Sequence, residues 1–342
     1  MNILHITPHL GGGVGSVLLN WLSAVKNHSV VCLDYANDKA KARCQELGVR
    51  LLDRMDGKGY TVACEVEKAD VVVVHYWDHP MLPNFMRSIF SLKDYRGRPK
   101  FVLWCHKNYP VDAREIEAAD LFVATSPIVF DQPSLREYSR YTDMRYIWSS
   151  SGPESFAVLP VAKHGTLNIG YVGTVDFKKV SERFLLLLHE IGLAIPEAGF
   201  IIAGEDNVSS CIRYPWVSDP ARFSFVGKVD DVASVLERLD IFIYPLRPDH
   251  YGTCEQAIGE AMAAGLPVVC FDNPCERSII RHGVDGYLCL NEKTFVQRVE
   301  YLAARPWLRK SMGNNARMRA LELYSTGKMV NAWEAIFEEV TR

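Results

Sequence analysis

The sequence predicts two α/β domains, each a parallel sheet covered by helices on both faces. Three observations carry that prediction. At 342 residues the chain is longer than one hydrophobic core usually serves. Short continuous apolar runs alternate with helix-length amphipathic segments, which is how strands buried on both faces read in a sequence. The alternation breaks off once, over SSSGPESFAVLPVAKHGT at 149–166, a stretch rich in Ser, Gly and Pro with no helical period, and then restarts.

The first domain is placed at 1–150. NILHIT (2–7) opens it as a buried strand, followed by a glycine-rich turn and an amphipathic helix over 14–27. SVVCLD (29–34), DVVVVH (70–75), KFVLW (100–104) and DLFVA (120–124) supply further strands. A linker at 151–165 leads to a second domain, 166–320, with strands in LNIGYVG, GFIIAG, FSFVG, DIFIYP and LPVVCF. The last stretch, 321–342, is helical, with Met329, Trp333, Ile336 and Phe337 at helical spacing. Two such doubly wound halves imply a cleft between them, with ligands gathering at the carboxyl ends of the strands.

A hydrophobic fraction of 48% and a charged fraction of 23% describe an ordinary globular protein. The net charge of -3 leaves no electrostatic footprint for nucleic acid. The nine cysteines form no CxxC pair and no zinc-ligand spacing, which fits a reducing compartment. MNILHITPHL has no basic leader region, and no apolar run approaches the roughly 18 residues of a membrane span, so a cytoplasmic protein is expected. The basic run Arg87, Lys93, Arg96, Arg98 and Lys100 reads first as solvated surface. Its second reading is a contact with a phosphorylated acceptor or with anionic lipid at the inner face of a membrane.

Chemistry concentrates in a few stretches. HYGTCEQAIGEAMAAGLPVV (250–269) sets Glu260 among small apolar residues. An ionised carboxylate is rarely buried unpaired, so Glu260 sits on a wet edge or meets a hydrogen-bond donor such as a ribose diol. Thr253 followed by Gln256 is a capping-box pattern, which predicts a helix from 254 to Gly265 with an anion-binding N-terminus. PHLGGGVGSV (8–17) fills a dinucleotide fingerprint imperfectly with Gly11, Gly13 and Ser16, and Asp34 stands where a ribose-binding acid would. A tight turn, a nicotinamide site and a loop facing a sugar phosphate all remain open there. GYVGTVDFKK (170–179) places Lys178 and Lys179 after a strand, where a lysine can neutralise a leaving phosphate or simply face solvent. His75 and His106 each close an apolar strand, as ligand-facing groups or as core histidines. His75, Asp78 and His79 are too few ligands for a metal, and Asp-x-Asp is absent, so no metal is expected.

Taken together, YVGTVDFKK, FIIAGED (200–206), FSFVGKVDD (223–231), EAMAAGLPVV (260–269) with Glu276, HGVDGYL (282–288) and the N-terminal GGGVGS resemble the retaining family 4 glycosyltransferases of the GT-B fold. The likeness covers most of 165–290 and, more faintly, the first domain. It implies two Rossmann-like domains facing a cleft, with the C-terminal helix returning to the first. The implied reaction moves a hexosyl or N-acetylhexosaminyl group from a UDP- or GDP-type donor to a hydroxyl of a glycan, lipid-linked intermediate or small-molecule glycoside. Configuration is retained, the departing phosphate takes the acceptor's proton, and no cofactor is needed beyond the nucleotide sugar.

The same resemblance assigns roles. Glu260 would hold the ribose hydroxyls, Lys179 the diphosphate and the backbone at Val229 the base. Gly173 and Thr174 line the diphosphate loop, and Tyr251, Gly252, Thr253 and Cys254 precede the donor helix. Gly12, Gly13, Val14 and Gly15 would approach the donor from the first domain. His106 matches a histidine beside the donor sugar, which makes His106, Lys179 and Glu255 the catalytic candidates. His9, His75 and Trp77 are acceptor-side candidates. Two positions depart from the family pattern. Gly252 stands where a second Glu is usual, with Glu255 the candidate substitute, and Thr174 replaces an Arg. Two rivals follow: a non-catalytic nucleotide-sugar-binding protein, and a sugar-nucleotide epimerase or other NAD-dependent enzyme.

Overall fold

Residues Met1–Ser151 and Thr326–Arg342 form one unit and Gly152–Ser325 a second. The computed structural model describes the chain except for residues 91–96, 108–115, 117–118, 132–134, 136–142, 151, 160–164 and 206–219. Lys93, Arg96 and Cys211 therefore lie outside the described residues.

In the first unit, β1 (Ile3–Leu10), α1 (Gly12–Ala24), β2 (His28–Ala36), α2 (Asp38–Glu46), β3 (Arg50–Leu52), α3 (Gly59–Val66), β4 (Val71–Tyr76) and α4 (Leu82–Phe90) follow one another. β5 (Lys100–Cys105), β6 (Leu121–Ala124), α5 (Pro127–Phe130) and β7 (Met144–Tyr146) complete its described elements before the second unit begins. The sheet has the order β3-β2-β1-β4-β5-β6-β7 and is parallel at every pairing. Alternation along the strands sends Ile3, Val30, Val73 and Trp104 to the face under α1, and Leu4, Val31, Val74 and Leu103 to the other face, against α3 and α4.

The second unit contains α6 (Pro153–Ala157), β8 (Asn168–Val172), α7 (Phe184–Ala194), β9 (Gly199–Ala203), β10 (Phe223–Gly227), α8 (Ala233–Leu236) and β11 (Ile241–Tyr244). It continues with α9 (Gln256–Ala263), β12 (Val268–Phe271), α10 (Pro274–Ile279), β13 (Gly286–Cys289), α11 (Glu292–Ala303) and α12 (Pro306–Leu323). Its six-stranded parallel sheet has the order β10-β9-β8-β11-β12-β13. The last helix, α13 (Thr326–Val340), returns to the first unit, as the resemblance implies. There Trp333 stacks on Trp21 with ring centroids 4.8 Å apart. Removing a buried tryptophan of this kind costs about 3–5 kcal/mol.

Three details differ from the sequence reading. β1 runs on through Pro8 to Leu10, because the ladder to β2 slips between Thr7 and His9, and a bulge spares proline a donor it lacks. The glycines at 12–15, predicted as a turn, are instead the first residues of α1. Pro153–Ala157, within the predicted linker, is helical.

Strand order reverses once in each sheet, between β1 and β4 and between β8 and β11. At such switch points the loops leave their strands in opposite directions and open a crevice at the carboxyl edge. Those loops carry most of the predicted site residues.

Candidate functional site

In the second unit the loop after β8 and the loop after β11 are stitched together. Ser181 N–H donates to the Pro245 carbonyl at 2.9 Å, Arg247 N–H to the Lys179 carbonyl at 3.0 Å, and Val180 bridges Leu246. This brings the Lys179 ammonium within 3.2 Å of the Glu255 carboxylate, with side-chain exposures of only 16% and 2%. The Tyr244 hydroxyl, from the last residue of β11, donates to Glu255 Oε2, the same oxygen that Lys179 approaches. His250 Nδ1 lies 3.5 Å from Glu255 Oε1, and its Nε2 lies 3.2 Å from the wholly buried Glu276. Gly252 N–H donates to His250 Nδ1 at 3.0 Å, which selects the tautomer with the proton on Nε2, facing Glu276.

At Glu255, Lys179 and His250 burial works against charge, and the partners outweigh it. Desolvation would lift the Glu255 carboxyl, but Lys179, His250 and the Tyr244 hydroxyl hold it below the usual carboxylate range. Desolvation would likewise lower Lys179, yet Glu255 and Tyr251 raise it. His250 is raised against its own burial by Glu276 and Glu255. Burial first, then Glu255, pushes the Tyr244 phenol up, so it stays a donor.

The Glu255 backbone is in the left-handed region, with φ of 35°. For a non-glycine residue this costs about 1–3 kcal/mol and persists only where surroundings over-determine it. Here the surroundings are Lys179 and the Tyr244 hydroxyl, which hold the carboxylate. They also explain a correction. The predicted capping box at Thr253 does not form, and α9 starts at Gln256 with Glu255 at its N-cap and no side-chain cap. The carboxylate, turned back toward the sheet, lies where a Cβ on Gly252 would project, and His250 Nδ1 would be 2.8 Å from the same atom. Gly252→Ala is therefore expected to lower the stability of this unit by about 1–3 kcal/mol through overpacking. Thermal unfolding checks it: an unchanged midpoint would mean that Glu255 does not occupy this space.

The other second-unit candidates sit around this core. Tyr251 is exposed, its ring 5.8 Å from Lys179 Nζ. Gly252 and Thr253 are half-buried, whereas the Cys254 thiol is buried and faces inward. The Cys254 carbonyl accepts from the Tyr324 hydroxyl at 2.7 Å. Gly173 has φ of 151°, and the Tyr171 ring fills the space a side chain there would need, while the Tyr171 hydroxyl donates to the Thr174 carbonyl at 2.9 Å. Val229 is half-buried in the loop after β10, and Glu260 is half-buried just over one turn into α9. Tyr244 and His250 had no role in the sequence reading; their only signal was position, at a strand's last residue and within the quoted HYGTCEQ.

In the first unit Gly12 and Gly13 are exposed at the start of α1, Val14 is half-buried and Gly15 is packed on Leu10. His9 lies 5.1 Å from Trp77 and 5.4 Å from Tyr35, and Trp77 lies 6.2 Å from His106, ring centroid to ring centroid. Thus His9, Trp77 and His106 gather at the carboxyl edge. His75 does not: β4 continues to Tyr76, so this histidine lies wholly inside the core between His5 and His106. Asp78 pairs with Lys107 at 2.8 Å, and His79 lies 3.8 Å from Asp34. Among the described residues no three His, Cys, Asp or Glu side chains are grouped to hold a metal ion. In the basic run, Arg98 is committed to Asp120 at 2.6 Å and is not a free surface cation. No described helix is long and apolar enough to cross a membrane.

Two parallel-sheet α/β units of this kind make up the GT-B fold, and solved structures share it along the whole chain. The Anabaena protein Alr3699/HepE in complex with UDP superimposes with a TM-score of 0.79 at 14% identity, covering 99% of this chain and 100% of that one. A sucrose-phosphate synthase from Thermosynechococcus elongatus gives 0.73 at 14% identity, with 99% of each chain covered. Residues 166–305 match the family model described as glycosyl transferases group 1. Over 124 residues the chain is 32% identical to N-acetyl-alpha-D-glucosaminyl L-malate synthase of Bacillus anthracis, which is 35% of this chain and 32% of that protein. The chain therefore spans about a third of the length of this curated relative.

Proposed function

We propose that this chain is a glycosyltransferase that moves a hexosyl or N-acetylhexosaminyl group from a nucleoside diphosphate donor to a hydroxyl acceptor, with retention at the anomeric carbon. One observation carries the reading: the buried Lys179–Glu255 pair at the switch point of the second sheet, inside the segment that matches glycosyl transferases group 1. Lys179 neutralises the departing diphosphate, aided by the N-terminal dipole of α9, with Gly173 and Thr174 supplying loop backbone. Glu260 holds the ribose and Val229 the base. Glu255 supplies the sugar-side carboxylate that Gly252 lacks, since the two positions compete for one space. The solved relative's UDP favours a uridine donor. The acceptor is a glycan, a lipid-linked intermediate or a small-molecule glycoside, taken up by the first unit beside His9 and Trp77. No metal or further cofactor enters this reading, and work on the cytoplasmic side of a membrane, touched through the basic run, accords with a lipid-linked acceptor.

A second reading, a nucleotide-sugar-binding protein without turnover, draws on the sequestration of Glu255, whose side chain is 2% exposed. Calorimetry with UDP, GDP and NAD, followed by a transfer and hydrolysis assay, tests both. UDP or GDP should bind, and Glu260→Ala should weaken that binding about 10- to 100-fold, the worth of charge-assisted hydrogen bonds to a diol. Binding of NAD alone overturns the reading in favour of a nicotinamide enzyme, and nucleotide binding with neither transfer nor hydrolysis favours the non-catalytic one.

A further inference from the structure

The first unit holds a polar thread that sugar transfer, as read above, leaves unused. His28 Nδ1 lies 2.8 Å from His5 Nε2, His5 Nδ1 lies 3.1 Å from His75 Nε2, and His75 Nδ1 lies 3.2 Å from His106 Nε2. The strands β2, β1, β4 and β5 are consecutive neighbours, and their two-residue alternation turns one ring from each toward the same face. His28 is the first residue of β2 and His106 directly follows β5, so the rings cross the sheet from its amino edge to its carboxyl edge. His5 and His75 are fully buried, while His28 and His106, at the two ends, are half-buried. Aromatic rings enclose the thread: Trp21 at 4.7 Å from His5, Trp104 at 5.3 Å from His75 and Phe337 at 6.1 Å from His28. Filling that space needs only apolar side chains; imidazoles there must each find a partner, and they find one another.

Both nitrogens of His5 and of His75 are used within the thread, which leaves His28 Nε2 and His106 Nδ1 as its outer nitrogens. A neutral imidazole carries one N–H, so only two arrangements satisfy all three contacts: every ring protonated on Nε2, or every ring on Nδ1. We propose that His28, His5, His75 and His106 form a proton relay through which solvent at His28 sets the protonation of His106 at the carboxyl edge. Its use rests on the glycosyl-transfer reading. From the Nε2–H arrangement, the acceptor O–H breaks, its oxygen bonds to the anomeric carbon, and the bond from that carbon to the diphosphate breaks with its electron pair on the phosphate. His106 Nδ1 takes the released proton in place of that phosphate. Each ring then hands its Nε2 proton to the next Nδ1, and His28 gives its own to water. After product release, water takes the proton from His106 Nδ1 and returns one to His28 Nε2. Neither buried ring is left as an isolated cation.

Nitrogen-15 NMR of the full chain with labelled histidines tests the thread without any substrate. The unaltered protein should show one tautomer at all four rings, and mixed tautomers overturn the proposal. His28→Lys offers only a donor to His5 and should force His106 to Nδ1–H, whereas His28→Glu offers only an acceptor and should force it to Nε2–H. A His106 tautomer that ignores this choice, three rings away, also overturns it. With His106 Nδ1 already occupied, His28→Lys should slow transfer about 10-fold or more, within the range of general-base contributions, while UDP affinity is unchanged. A switched tautomer with an unaltered rate removes the relay from catalysis. If tautomers stay coupled but the unaltered protein transfers no sugar to any acceptor, it is the glycosyl-transfer reading that falls, and the relay loses its reaction with it.

Discussion

Lys179→Met is expected to reduce sugar transfer about 100-fold or more and, separately, to destabilise the second unit. The kinetic effect is that of removing one preorganised charge from a developing phosphate, as when a single transition-state donor is deleted. The stability effect has another cause. Lys179 is the closest cation to Glu255, and stripping one partner from a buried pair costs about 3–5 kcal/mol because the other charge stays behind. The Tyr244 hydroxyl remains to soften that loss. A second substitution separates the two roles. Lys179→Met combined with Glu255→Gln removes both charges, so thermal stability should largely return while transfer stays low. Recovery of transfer in the double variant would show that Lys179 does no more than balance Glu255.

Acidification is expected to soften the first unit well before ordinary carboxylate titration. Burial holds His75 down to about 3 and His28 down to about 4, and burial together with the neighbouring rings holds His5 well below its ordinary value. The folded rings stay neutral where the unfolded chain binds protons. Stability is therefore complete above about pH 6.5 and is lost as pH falls toward the folded values. Each such ring costs about 1.4 kcal/mol per pH unit. His75 alone thus removes about 2 kcal/mol between pH 6.5 and 5, a sizeable share of the 5–15 kcal/mol typical of a domain, and His5 acts in the same direction. The groups facing them from α1, β5 and α13 are Trp21, Trp104 and Phe337, none of which supplies a compensating charge. In the second unit His250 has the opposite sign: its raised value adds stability below about pH 6.5 and loses it as pH rises through the folded value. Urea unfolding followed by the fluorescence of Trp21, Trp104 and Trp333 should show the midpoint falling steeply from pH 7 to 5. A constant midpoint would mean that the rings are already charged in the native state.

The strands were legible because apolar runs such as VVVV and VVCF leave few alternatives for a segment buried on both faces. Arg50–Leu52 and Met144–Tyr146 were not, since three residues with partly exposed side chains carry no period, and they become strands only by pairing with a neighbour already in place. Lys179 and Glu255 were singled out as candidate site residues through the resemblance of their stretches. Their mutual contact was not, because it depends on two loops that the chain order separates by a whole run of β9, β10 and β11. The same holds for the start of α9. Local pattern favoured a cap at Thr253, but a tertiary pull on the Glu255 side chain displaced it by two residues. The histidine thread left a clue in plain view, one imidazole near an end of each of four apolar runs. Only the sheet order shows that those runs are adjacent.

The return of α13 to the first unit bears on how the protein is made. A nascent chain leaving the ribosome presents Met1–Ser151 long before Thr326–Arg342, and all of Gly152–Ser325 must be synthesised in between. Through that interval the surface around Trp21 and Trp104 has no Trp333 to cover it. Met1–Ser151 thus waits for Thr326–Arg342, holding sticky indole surface open to chaperones and to other copies of itself until that segment has emerged.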